Sequence, residues 1–170
     1  MNNRFINTIA ISTLRDILGD KMESKQRKHF FKYNGKEHLL SIKAIDTSTL
    51  GRNFNQMETL HMAIHVLAVG SADGKFEWYV LPVTEVAKIS MKKSPQHGGT
   101  KAEDFIAQIE DVDSKFIVKS NEIVRTLENI IDNQSNDPVF KILDARMQIE
   151  RLRKESDRKN YDLFLTELFK

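Results

Sequence analysis

Apolar residues recur at helical spacing near the start of the chain. Phe5, Ile6, Ile9, Ala10, Leu14, Ile17 and Leu18 share one side, so residues 4–18 are expected to form an amphipathic helix that Gly19 ends. Residues 20–28 are charged and read as a loop. The period then drops to two. His29-Phe30-Phe31-Lys32-Tyr33 and the run Lys36 to Ile45 flank Asn34-Gly35, a pair suited to the two positive-φ positions of a type I′ turn. A β-hairpin is expected there. On its second strand His38, Leu40, Ile42 and Ala44 share one face, and Glu37, Leu39, Ser41, Lys43 and Ile45 the other.

Residues 46–53 read as a polar loop. The segment 54–60 is expected to be a short helix, followed by a second hairpin that pairs 62–69 with 75–81. Val83 to Ser90 reads as a helix, 91–101 as an exposed loop, 105–109 and 115–118 as short strands, and 120–131 as a helix. Asp137-Pro138 has the form of a helix start, a cap residue followed by proline at the first helical position. Ser156 or Asp157 is expected to cap a separate last helix carrying Leu163, Phe164, Leu165, Leu168 and Phe169. The resulting fold class is α+β: a mainly antiparallel sheet built from two hairpins, with flanking helices and a helical C-terminal appendage. The expected division is an α+β core over 1–133 and an appendage over 134–170 that packs on the body or on a second copy.

A chain of 170 residues without cysteine excludes a disulfide framework, a thiol nucleophile and a Cys-ligated metal. No apolar run approaches the ~20 residues of a membrane span, and the opening residues carry no signal-peptide pattern. A cytoplasmic protein without membrane partners is expected.

Net charge is only +2, but it is unevenly spread. Residues 1–43 carry nine Lys/Arg against four Asp/Glu, 84–101 four against one, and 102–150 five against eleven. Such asymmetry suggests a face turned toward a polyanion. The first functional expectation is therefore nucleic-acid binding, directed at DNA. Lys25, Arg27, Lys28 and Lys32 would supply charge from the hairpin region, and Lys92, Lys93 and Lys101 from the loop 92–101. Gln96 or His97 would stand near bases, and Gly98-Gly99 would let backbone amides approach a phosphate. No phosphate-binding loop of the Gly-x-x-x-x-Gly-Lys-Ser/Thr type is present.

Ser41-x-Lys43, with Glu58 downstream, is similar to a Ser-x-Lys variant of the PD-(D/E)xK nucleases. In that restriction-endonuclease-like group, an acidic residue and a lysine two apart on a strand hold metal and activate water. The resemblance implies Ser41, Lys43 and Glu58 as catalytic residues, with magnesium as the divalent cofactor. The chain departs from the pattern upstream: Asp16, Asp20 and Glu23 precede the hairpin, and there is no Pro-Asp pair. Apart from a nuclease role, the sequence requires no cofactor. Glu58-x-x-His61-x-x-x-His65 has a spacing that on a helix would suit a His/His/carboxylate metal site. A third expectation is an assembly module, homo-oligomeric through the C-terminal helices, where Ile142, Ala145, Ile149 and Leu152 form a short apolar stripe.

Overall fold

The structure is a computed structural model that describes residues 3–47, 53–59, 61–93, 95–97 and 101–168. Side chains are described for 4–47, 53–59, 61–93 and 105–159. The fold is α+β. Its main sheet has six strands in the order β1 (Met22–Lys25), β2 (Lys28–Tyr33), β3 (Lys36–Asp46), β5 (Ile64–Gly70), β6 (Phe76–Leu81), β9 (Ile117–Val118). A smaller sheet runs β4 (Asn53–Met57), β8 (Lys101–Gln108), β7 (Pro95–His97).

Neighbouring strands of the main sheet are antiparallel with one exception. β3 and β5 run parallel, with Leu40 opposite Ile64 through to Asp46 opposite Gly70. Parallel neighbours need a crossover rather than a tight turn, and here the chain from 47 to 63 makes it, carrying β4 onto one face of the sheet.

Strand alternation divides the core in two. Leu40, Ile42, Ala44, Ile64, Val66, Ala68, Trp78 and Val80 face helix α1 (Asn3–Leu18) and helix α3 (Ile123–Gln134). From α1, Ile6, Ala10, Leu14 and Leu18 enter this layer at a spacing of four, which keeps them on one side of the helix. Ile45, Leu67, Val69, Tyr79 and Leu81 face the opposite way, onto Phe54 and Met57 of β4, Phe105 and Ala107 of β8, and helix α2 (Val83–Ser90). Ser41, Lys43 and His65 belong to this second face by the same alternation.

Both expected hairpins form. The first turns on Asn34 and Gly35 at φ 50° and 70°, as a type I′ turn requires. Five details differ from the sequence reading. The segment 20–28 contains β1, which pairs with β2. Residues 53–57 are strand β4 and not a helix, because Phe54 and Met57, three apart, are brought to one side by a register shift with Gln56 at φ 55°. The loop 91–101 contains β7 and the first residue of β8. The segment 115–118 is a single 3₁₀ turn followed by the two-residue β9. No separate last helix begins at Ser156 or Asp157: helix α4 runs unbroken over Pro138–Leu168. Ile142, Ile149 and Leu152 on α4 are exposed at 68%, 64% and 64%, so this stripe is not buried within the chain. Among the described residues no helix is long and apolar enough to cross a membrane.

Candidate nucleic-acid interface

Three of the sequence-derived basic residues, Lys25, Lys32 and Lys93, stand paired with carboxylates. Lys25 and Lys32 are held by carboxylates of the first three strands. Glu23 takes Lys32 at 2.7 Å and Lys25 at 3.0 Å, and Lys25 also reaches Glu37 at 2.6 Å. Hydrogen bonds from Lys32 and then Lys25 hold the Glu23 carboxyl down at about 2. Lys93 pairs with Asp111 at 2.7 Å, and Lys92 lines the same hollow as Glu85, Glu110, Asp111 and Asp113. The side chains of Gln96, His97 and Lys101, and Gly98-Gly99 as a whole, lie outside the described residues. Arg27 and Lys28 remain, and they point to a different place.

β2 accompanies β3 only as far as Leu40, opposite His29. Beyond it, among the described residues, β3 is paired on its β5 side alone. A cleft of about 490 Å³ opens at this free edge, between α1 and the turn that follows β4. Consecutive residues Leu39 to Ile42 line it, which marks an opening at a strand edge, since alternate side chains point to opposite faces. Arg27, Lys28, His29, Glu58 and His61 also line it. The cleft shares lining residues with two neighbouring hollows. Past Asn7 and Ile42 it meets a hollow of about 210 Å³ lined by Arg4, Lys43, Asn53 and Asn55. Past Leu39 and His61 it meets a third, of about 410 Å³, whose far wall is α4 with Arg151, Lys154 and Arg158. Glu150 and Glu155 also stand there, and Arg151 bonds Glu155 at 3.1 Å. Along the whole groove seven cationic side chains stand against three carboxylates.

Thus Ser41 and Glu58 share one cleft, and Lys43 lines the adjoining hollow. His65 lies within electrostatic reach of Glu58 and Lys43. Its ring is fully buried, and burial pushes it down to about 4, with the Glu58 charge favouring the cation and the Lys43 charge opposing it. His65 is neutral at pH 7. A carbonyl oxygen can only accept, so Nε2 donates to the Glu58 carbonyl at 3.0 Å. The other nitrogen, Nδ1, is buried without a hydrogen-bond partner among the described residues.

Glu58, His61 and His65 are not gathered into one set of ligands. His65 faces the interior, and among the described residues no three His, Asp or Glu side chains stand together in a way that could hold an ion. The carboxylate of Glu58 is instead turned onto His61. Oε1 lies 3.0 Å from Nδ1 of the ring and Oε2 accepts from the His61 backbone N–H at 3.2 Å. His29, which lines the same cleft, has its Nδ1 2.9 Å from Ser24 Oγ, and Arg15 donates to that oxygen at 3.0 Å. Burial and then the Arg15 charge lower the affinity of His29 for a proton.

Neither histidine stood out in the sequence as a groove residue, nor did the α4 cations. Their approach depends on the crossover and on the unbroken α4. One local signal existed, the run Lys25-Gln26-Arg27-Lys28, a two-residue turn with no glycine. Gln26 and Arg27 adopt φ 48° and 67°, a left-handed conformation that costs a side-chain-bearing residue about 1 kcal/mol or more. Strain of this kind concentrates at functional positions. Arg27→Gly is therefore expected to stabilise the fold by about 1 kcal/mol while weakening polyanion binding, measured as a raised urea midpoint alongside a lowered affinity. A variant less stable than the parent would show that the turn is not strained.

A separate cavity of about 320 Å³ between α3 and β6 is lined by Val80, Val118 and Ile130 and rimmed by Asn129 and Asn133. It lacks the cation excess of the groove. Comparison of this chain with protein families, with curated proteins and with solved structures finds no match in any of the three.

Proposed function

We propose that this chain binds nucleic acid through the groove along the free edge of β3. The observation that carries the reading is the run of three adjoining cavities with seven cations against three carboxylates. A phosphodiester backbone presents evenly spaced negative charge, and cations lining three neighbouring hollows suit it better than isolated surface lysines do. The cations come from separate elements: Arg4 of α1, Arg27 and Lys28 of the β1–β2 turn, Lys43 of β3, and Arg151, Lys154 and Arg158 of α4. The side chains of Asn7 and Asn55 add donors and acceptors for sugar and base edges.

The test is a titration of labelled RNA, single-stranded DNA and duplex DNA at two salt concentrations. Affinity is expected to fall steeply with salt, with a log–log slope of roughly −0.7 to −0.9 per phosphate contacted. Replacing Lys154 and Arg158 by Gln is expected to weaken binding and to flatten that slope by about one to two. Lys92→Gln, among carboxylates, is expected to change little. Binding that ignores salt, or that follows Lys92 rather than Lys154 and Arg158, would remove the groove from consideration.

A further inference from the structure

The groove holds, beside its cations, a histidine whose orientation is fixed by a carboxylate. Glu58 bonds both the ring Nδ1 and the backbone N–H of His61, so the ring has little freedom to turn. An ionised carboxylate accepts only, which places the imidazole proton on Nδ1 and leaves the lone pair on Nε2. His61 is more than half exposed and lines both the central cleft and the α4 hollow. This arrangement, a carboxylate holding an imidazole in one tautomer beside a binding surface, is the geometry of a general base.

We propose that the Glu58–His61 pair is the general base of an RNA-cleaving site in this groove, acting on the substrate's own 2′-hydroxyl. The proposal rests on the groove being a nucleic-acid site and deepens it by naming the substrate class. RNA is the substrate because its nucleophile arrives with it, so the site must supply only a base, cations for the phosphate and a proton for the leaving oxygen. His61 Nε2 takes the proton of the 2′-hydroxyl as the O2′–P bond forms. The P–O5′ bond breaks, and the 5′-oxygen leaves with a proton from the Lys28 ammonium. The products are a 2′,3′-cyclic phosphate and a 5′-hydroxyl end. His61 and Lys28 then exchange the proton through water, which closes the cycle. Arg27, which lines the same cleft as His61, stabilises the charge that builds on the non-bridging oxygens. His61, Lys28 and Arg27 are the catalytic residues, and Glu58 is the positioning residue of His61.

The experiment uses the full chain with a single-stranded RNA labelled at one end, in EDTA, beside the same strand carrying a single 2′-deoxy residue at the cleavage site. Cleavage to a cyclic phosphate, blocked by the deoxy residue, is expected. His61→Ala, prepared identically and shown by circular dichroism to be folded, is expected to cleave roughly 100- to 10,000-fold more slowly. Added imidazole should restore part of the rate, which a merely structural role would not allow. Glu58→Gln is expected to lower kcat with KM nearly unchanged. Salt-sensitive binding of RNA without cleavage would overturn this proposal and leave the groove reading standing. An absence of salt-sensitive binding would overturn both. Cleavage that EDTA abolishes, that the deoxy residue leaves intact, or that His61→Ala preserves would overturn the base assignment.

Discussion

Acidification from pH 7 to pH 4 is expected to remove about 3 kcal/mol of stability through His65 alone. The ring is fully buried, and burial lowers its pKa from 6.5 to about 4 in the folded chain. Between those values the unfolded chain binds a proton that the folded chain refuses, so protons pull toward unfolding. The contribution is absent above about pH 6.5, grows as the pH falls through the window and is complete below about 4. Each pH unit of that window corresponds to about 1.4 kcal/mol. Urea midpoints measured at several pH values would read it. The control is His65→Gln, whose amide can still donate to the Glu58 carbonyl but does not titrate in this range. The variant should lose much less stability than the parent on acidification. Parallel losses in both would assign the acid sensitivity to other groups.

The second large effect is expected at Gly70, where β5 ends against the start of β6. A Cβ there would collide with the backbone carbonyl oxygen of Lys75 and with the Phe76 ring. The Phe76 ring can rotate away, but the Lys75 oxygen moves only with its backbone. Gly70 is also opposite Phe76 in the β5–β6 ladder and opposite Asp46 in the β3–β5 ladder, and its carbonyl accepts from Thr47 N–H at 2.9 Å. Three strands would have to shift together. Gly70→Ala is expected to cost about 3 kcal/mol, the upper end of overpacking penalties. That corresponds to a Tm lower by about 6–12 °C for a chain of this size. Gly35→Ala provides the comparison. Its Cβ would meet nothing within 4 Å, so only the positive φ of 70° penalises it. An equal loss in the two variants would show that crowding at Gly70 is not the cause.

Local signals carried α1, both hairpins, α2 and α3, because each rests on residues a few positions apart. The four-residue spacing of Ile6, Ala10, Leu14 and Leu18 and the pair Asn34-Gly35 state their geometry without help from distant chain. The misread elements share a different cause. At β4, a strand irregularity brings Phe54 and Met57 to one side and so imitates a helical period. At β7 and β8, a polar composition reads as loop although the backbone groups are paired into a sheet. In α4, the charged middle reads as a break. Residues of this kind extend a helix readily, and Arg151 and Glu155 pair across one turn.

The candidate site was legible in part. Ser41, Lys43 and Glu58 were singled out as a group, and Ser41 and Glu58 line one cleft with Lys43 in the hollow beside it. Arg27 and Lys28 line the same cleft, while Lys25, Lys32 and Lys93 are paired with carboxylates that lie close only after folding. The sequence by itself determined the α+β class, the main hairpins and the residue types able to meet a polyanion. Only the tertiary structure decided that β3 and β5 run parallel, that β2 stops short and leaves an open edge, and that Glu58 turns its carboxylate onto His61. The reason is physical. Secondary structure follows from interactions within a few residues, whereas strand partners, carboxylate pairing and the walls of a groove depend on segments far apart in the chain, whose charges and side chains acquire neighbours only when the two faces of the sheet are covered.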